Sequence, residues 1–203
     1  MPGEEPEKAG VLPDKARLLP VAEGTLDERT LASLAPYRDQ DGRIYTIWAT
    51  LAHHEDALRR FLVFGNHVLG KNTLPLKSRE LMILRIAARA RAAYEWDQHV
   101  RIARRAGLTD EEILAGATGA WDGLDELDRA LLTATDSLLD HQGVDDELWY
   151  GLKDRLSVEQ IIDVLYTVGQ YLTIATVINT LGVQVEGDLA LPLPRVLDQK
   201  EAA

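Results

Sequence analysis

Tyr94, Glu95, Trp96 and His99 fall within six positions of one another at the start of a predicted helix, in the stretch RAAYEWDQHVRIARRAGLTDEE, residues 91–112. Residues four apart on a helix share a face, so Glu95 and His99 can touch, and a carboxylate beside an imidazole favours the imidazolium and orients the ring. That is an acid/base pair in outline. Another carboxylate, Glu80, sits in the first turn of an apolar helix, where the helix dipole favours it and its neighbours desolvate it. The same residues also describe an N-terminal helix acid and a plain surface contact. Only a tertiary fold that carries Glu80 to the pair makes them one site. Charge adds to the pattern: residues 77–105 hold eight basic side chains against three acidic ones, an excess of +5 inside a chain of −11. Such a zone attracts a small carboxylated molecule, and guanidinium is suited to holding carboxylate. Arg85 and Arg89, on the more apolar helix, are the candidate anion holders, whereas Arg101, Arg104 and Arg105 read as one solvated face. Tyr94 is a candidate pocket residue and Trp96 a packing residue. His53, His54 and His67, even with Glu55, match neither the His-Glu-x-x-His nor the Glu-x-x-His ligand spacing, so no metal site is expected.

The elements that must position these groups read as helices throughout, with helical periodicity and punctuation and no alternating runs bounded by hairpin turns. Thr25 with Glu28 reads as a capping box for a helix over 26–35, followed by helical segments over 44–52 and 55–69 and a loop at 70–75. Residues 78–91 are so apolar that the helix they form must be central. Gly107 supplies a left-handed cap after the His99 helix, and Thr109 with Glu112 opens the next by a capping box. Further helices are expected to end near Gly143 and to span 146–154. Ser157 with Gln160 starts the longest, running to Leu181 with an apolar arc too wide for a surface helix. The chain therefore reads as all-α, a single-domain bundle of eight to nine helices over 25–185, with an extended arm at 1–24 and a Pro-interrupted tail at 186–203.

At 203 residues and 46% hydrophobic the chain has the apolar mass for a proper core. The net charge of −11 disfavours nucleic acid and anionic membrane as partners. Cysteine is absent, which removes disulfides, thiolate ligands and thiol redox cycling from this chain. The acidic, Pro/Gly-rich start is unlike a secretory signal, and no apolar run is expected to approach membrane-spanning length, so a cytoplasmic protein is expected. The arm, the wide apolar arc and the tail predict a homo-oligomer, dimer to hexamer.

The run LPLKSRELMILRIAARARAAYEWDQHVRIARRAGLTDEEI resembles the core motif of the carboxymuconolactone decarboxylase family, whose all-helical fold is that of the alkylhydroperoxidase-D-like proteins. Arg79, Glu80, Tyr94, Glu95, Trp96, His99, Gly107 and Glu111 to Ile113 carry the likeness. The redox branch of that fold uses Cys-x-x-Cys-x-x-x-His, and counting back from His99 the two cysteine positions fall on Ala92 and Glu95. Thiol exchange is therefore impossible at this site. The resemblance then implies the decarboxylase-like branch, with no cofactor: a small carboxylated lactone or keto acid loses carbon dioxide, with Glu80, Glu95 and His99 catalytic. His99 would donate a proton or hydrogen bond, Glu95 would orient it, Glu80 would complete a relay, and Arg85 or Arg89 would hold the leaving carboxylate. Isomerisation by the same groups, a peroxide-handling role and a non-catalytic ligand-binding assembly are the alternatives.

Overall fold

Every residue from Ser78 to Ala88 is buried, and the rest of the chain is arranged around them. The computed structural model describes residues 13–196. Among these, nine α-helices follow in order: α1 (Glu28–Leu34), α2 (Thr46–Leu51), α3 (Glu55–Asn66), α4 (Leu76–Arg89), α5 (Ala93–Arg105), α6 (Asp110–Thr118), α7 (Glu126–His141), α8 (Asp146–Lys153) and α9 (Val158–Leu181). The only extended pairing among the described residues is an isolated bridge between Arg38 and Ile44. The protein is all-α.

Helix α4 is central because it has almost no polar face, and it packs against α5, α6, α7 and α9 at once. Met82, Ile83 and Ile86 face α7 and α9 in one apolar cluster, while Leu81, Leu84 and Ala88 join Trp96 and Val100 of α5 and Ile113 of α6 in another. Gly116 lets α6 approach, since a Cβ there would sit 2.8 Å from the Leu81 side chain. Both later capping boxes are present, Thr109 with Glu112 and Ser157 with Gln160. Thr25 differs. Its hydroxyl donates to the Ala22 carbonyl in a 3-10 turn, and Asp27 caps α1 by accepting from the Thr30 N–H, since a carboxylate there reaches the orphan donors directly. The α3 segment continues into a wider π-type turn at His67–Lys71 before the loop to α4.

Helix α9 corrects one expectation, for its 24 residues are long and apolar enough to cross a membrane by length and composition. More than half of that stretch is buried in this protein against α4, α7 and α2, which is how a core helix passes the same test. Its outer side still exposes Ile162, Leu165, Tyr166 and Leu172. The described part of the arm crosses the end of α9, where the Arg17 and Leu18 N–H groups donate to the Leu181 carbonyl. Gly182 is required there, because its φ is +67° and a Cβ would meet the Lys15 carbonyl oxygen at 2.5 Å. The tail up to residue 196 lies along α5: Trp96 Nε1 donates to the Leu191 carbonyl at 2.8 Å and the Ala190 N–H to Asp97 at 2.7 Å. The outer parts of the expected arm and tail, residues 1–12 and 197–203, lie outside the described residues.

Candidate active site

Packing α4 on α5 carries Glu80 to His99. Glu80 Oε2 lies 2.7 Å from His99 Nδ1, and the other oxygen, Oε1, accepts from Arg79 Nη2 at 3.0 Å. All three side chains are buried. Burial pushes the Glu80 carboxyl up, but His99 and Arg79 together outweigh it and hold the group below the usual carboxylate range. An ionised carboxylate only accepts, so Nδ1 carries the hydrogen. That leaves Nε2 as the ring nitrogen available to the cavity that His99 lines. The Tyr171 ring stands edge-on to the imidazole, 4.8 Å away, and fixes its plane. Burial and the Glu80 charge push the Tyr171 phenol well up, so it stays a neutral donor.

Glu95 is the second carboxylate of the site and its environment is the opposite one. It is fully buried in the wall of the same cavity, and neither carboxyl oxygen has a hydrogen-bond partner. Burial alone pushes its carboxyl well above the usual carboxylate range, which favours the neutral acid. The expected orientation of His99 by Glu95 is therefore corrected. The Nδ1 of His99 is taken by Glu80 across the helix interface, because Arg79 keeps that carboxylate ionised whereas nothing charges Glu95.

The cavity, of about 170 Å³, is closed on the far side by Tyr45, Ile47 and Trp48 around α2 and by Gln170, Tyr171 and Ile174 of α9. Tyr94 lines it as expected. Its hydroxyl donates to Glu186 Oε1 at 2.8 Å, and burial with the Glu186 charge pushes the phenol up. Glu186 also accepts from Gln98 Nε2 and the Thr46 N–H, so the tail braces two cavity walls.

Arg85 and Arg89 do not reach this cavity. Arg85 is held by both oxygens of Asp136 at 2.8 and 2.7 Å and by the Ala117 carbonyl, and Arg89 by Asp136 and Asp140. They lie on the side of α4 facing α7, where acids distant in sequence neutralise them. Arg101 pairs with Asp97 and Arg104 with Asp110. Most of the local positive charge is thus internally spent. Arg105 is exposed, as the solvated face expected, and it also lines the cavity in register with Gln98 and Ile102. That i, i+4, i+7 stripe was visible in the sequence, whereas the contributions of α2 and α9 had no local signal. Trp96 is fully buried packing, as expected. His53, His54 and His67 go to separate partners: His53 Nε2 to the Leu19 carbonyl, His54 Nδ1 to the Ala57 N–H, and His67 to Asp163 at 2.7 Å. Among the described residues no group of three or more His, Asp or Glu is placed to hold a metal ion.

Comparison with known proteins bears on the fold around this site. The family model for the carboxymuconolactone decarboxylase family matches residues 55–136, which include Glu80, Glu95 and His99. No curated protein sequence matches. Among solved structures, an uncharacterised peroxidase-related protein from Ralstonia eutropha, described as an alkylhydroperoxidase AhpD core, is similar with a TM-score of 0.76 at 18% identity, over 84% of this chain and 92% of that one. A peroxidase-related protein from a Silicibacter species gives 0.73 at 16% identity, over 92% and 97%. A cysteine-to-alanine variant of the debrominase Bmp8, solved with 2,3,4-tribromopyrrole, gives 0.69 at 16% identity, over 85% and 93%. Residues 55–136 therefore match the carboxymuconolactone decarboxylase family model, and they sit in the all-helical alkylhydroperoxidase-D-like fold of a chain without cysteine.

Proposed function

We propose that this protein is a lyase or isomerase that acts by side-chain acid/base chemistry on a small carboxylated compound with a conjugated carbonyl. One observation carries the reading: His99 and the buried Glu95 line one cavity, the buried Glu80 holds the imidazole from behind, and the surroundings push the two carboxyls in opposite directions. Opposed environments of this kind assign acid and base roles. Glu80 holds the hydrogen on Nδ1 of His99, which makes Nε2 the base. Glu95, neutral and unpartnered, donates to the substrate carbonyl and stabilises the oxyanion as it forms. In decarboxylation the carbon–carboxylate bond breaks, its electron pair passes onto the carbonyl oxygen at Glu95, carbon dioxide leaves, and a proton taken up from water by Nε2 of His99 is delivered to carbon. In isomerisation Nε2 takes a proton from carbon and returns it to another position on the same enolate. Both balance without an external reductant or oxidant.

The debrominase structure, with a small halogenated ring bound, supports the general point that this fold can enclose a compact planar molecule. The test is a panel of carboxylated lactones and β,γ-unsaturated keto acids, assayed for carbon dioxide release and for proton exchange in deuterium oxide. Turnover that falls by about 100-fold in His99→Gln supports the reading. A panel inert in both assays, or a His99→Gln protein as active as the parent, overturns it. The exposed apolar side of α9 further supports a homo-oligomer built through that face.

A further inference from the structure

Five arginines between residues 79 and 104 are paired with carboxylates, but among the described residues Arg105 has none. It is also the exposed member of the cavity lining, which places it at the open side, while His99 and Glu95 lie buried one to three turns earlier on the same helix. We propose that Arg105 is the anion anchor of this cavity, and that its ligand is a carboxylate whose single-ring or comparably short apolar body fills the space between the rim and the Glu95–His99 wall.

Geometry and charge both support this. Six residues separate His99 from Arg105, about 9 Å along the helix axis, and side chains lean toward the helix N-terminus, so the guanidinium leans back over the cavity. The anchored carboxylate is therefore remote from the reacting carbon and is not the group that leaves. The space between is lined by Ile102, Trp48, Tyr45 and Ile174, and a cavity of about 170 Å³ has room for little more than one ring, since about 150 Å³ of apolar cavity holds a benzene. In a chain of net charge −11 an anion needs a local exception, and the site supplies one. Glu95 is neutral, Glu80 is compensated by Arg79 and His99, and Glu186 is occupied by Tyr94, Gln98 and Thr46. Nothing in the wall cancels Arg105.

This assignment rests on the acid/base reading for the identity of the cavity as a substrate site, but its test is independent of turnover. Calorimetry on the full chain compares trans-cinnamate with methyl trans-cinnamate, a pair that differs in the anionic group and keeps the ring. The parent should bind the acid at least about 10-fold more tightly than the ester. Arg105→Gln should abolish that preference, and Arg105→Lys should keep part of it. Since Arg105 is exposed, both variants should melt with the parent. Equal affinity for acid and ester in the parent, a preference that survives in Arg105→Gln, or no binding of either compound overturns the proposal. A protein that prefers the acid yet shows no proton exchange on any substrate would keep the anchor and overturn only the acid/base reading.

Discussion

Replacing Glu95 by glutamine should make this protein more stable, by an amount that grows with pH. Glu95 is fully buried and its carboxyl is pushed well above 4.5 by burial alone. Below pH 4.5 the group is protonated in both folded and unfolded chains and contributes no pH dependence. As pH rises, the unfolded chain gains by ionising Glu95 while the folded chain holds it neutral, so each further pH unit costs the folded parent about 1.4 kcal/mol. The loss continues up to the folded pKa and then levels off. Glutamine occupies the same volume and does not ionise, so the difference between Glu95→Gln and parent should widen at that slope. For a chain of this size that is roughly 3–6 °C in relative Tm per pH unit. Urea unfolding of both proteins at half-unit steps from pH 4.5 to 8 measures it, and the pH at which the difference stops widening is the folded pKa. Two curves that run parallel across this range would mean that Glu95 is ionised in the folded protein. The assignment of Glu95 as proton donor would fall with it.

Glu80 should behave with the opposite sign: its lowered pKa contributes stability above pH 4.5 that is lost as pH falls through the folded value, so the deficit of Glu80→Gln should shrink in acid. At neutral pH that variant leaves Arg79 buried without its carboxylate and should lose about 3–5 kcal/mol in urea titrations, together with activity. His67→Gln should leave turnover unchanged within about twofold, because His67 contacts Asp163 at the α3–α4 connection rather than the cavity; steady-state rates on the best substrate of the panel check this. Light scattering should show an oligomer at micromolar concentration that Leu165→Lys dissociates, and a monomeric parent would remove the case for association through α9. Peroxide consumption with a dithiol donor should not exceed buffer, since the chain has no thiol to oxidise.

The sequence displayed its helices well because their limits are set locally. Thr109, Ser157, Gly107 and Gly182 act on their own neighbours, and the structure uses each of them as a cap. Glu80, Glu95, His99 and Tyr94 were also legible, as residue types collected on two adjacent helices. Their partnerships were not, because each is settled across an interface. Spacing offers His99 to Glu95, but the packing of α4 on α5 gives it to Glu80, and Arg79 makes that choice stable. The misreading of Arg85 and Arg89 has the same cause. Their acids, Asp136 and Asp140, stand some fifty positions away on α7, where no local window meets them. Arg105 could have been placed from the period of α5, since Gln98, Ile102 and Arg105 share one line of the helix.

The cavity draws on two separate parts of the chain. Glu80, Glu95 and His99 all belong to the stretch 55–136, whereas Tyr45, Ile47, Trp48, Gln170, Tyr171 and Ile174 lie before or after it. The central stretch thus holds the two carboxylates, the imidazole and Arg105, while the flanks supply a separate share of the lining that can drift at its own rate. Changes in the flanks would reshape the cavity while leaving Glu80, Glu95 and His99 in place. Grafting the two flanking segments of one such protein onto the centre of another is then a rational route to a new substrate, provided that the residue at 186 is carried along to brace Tyr94 and Gln98.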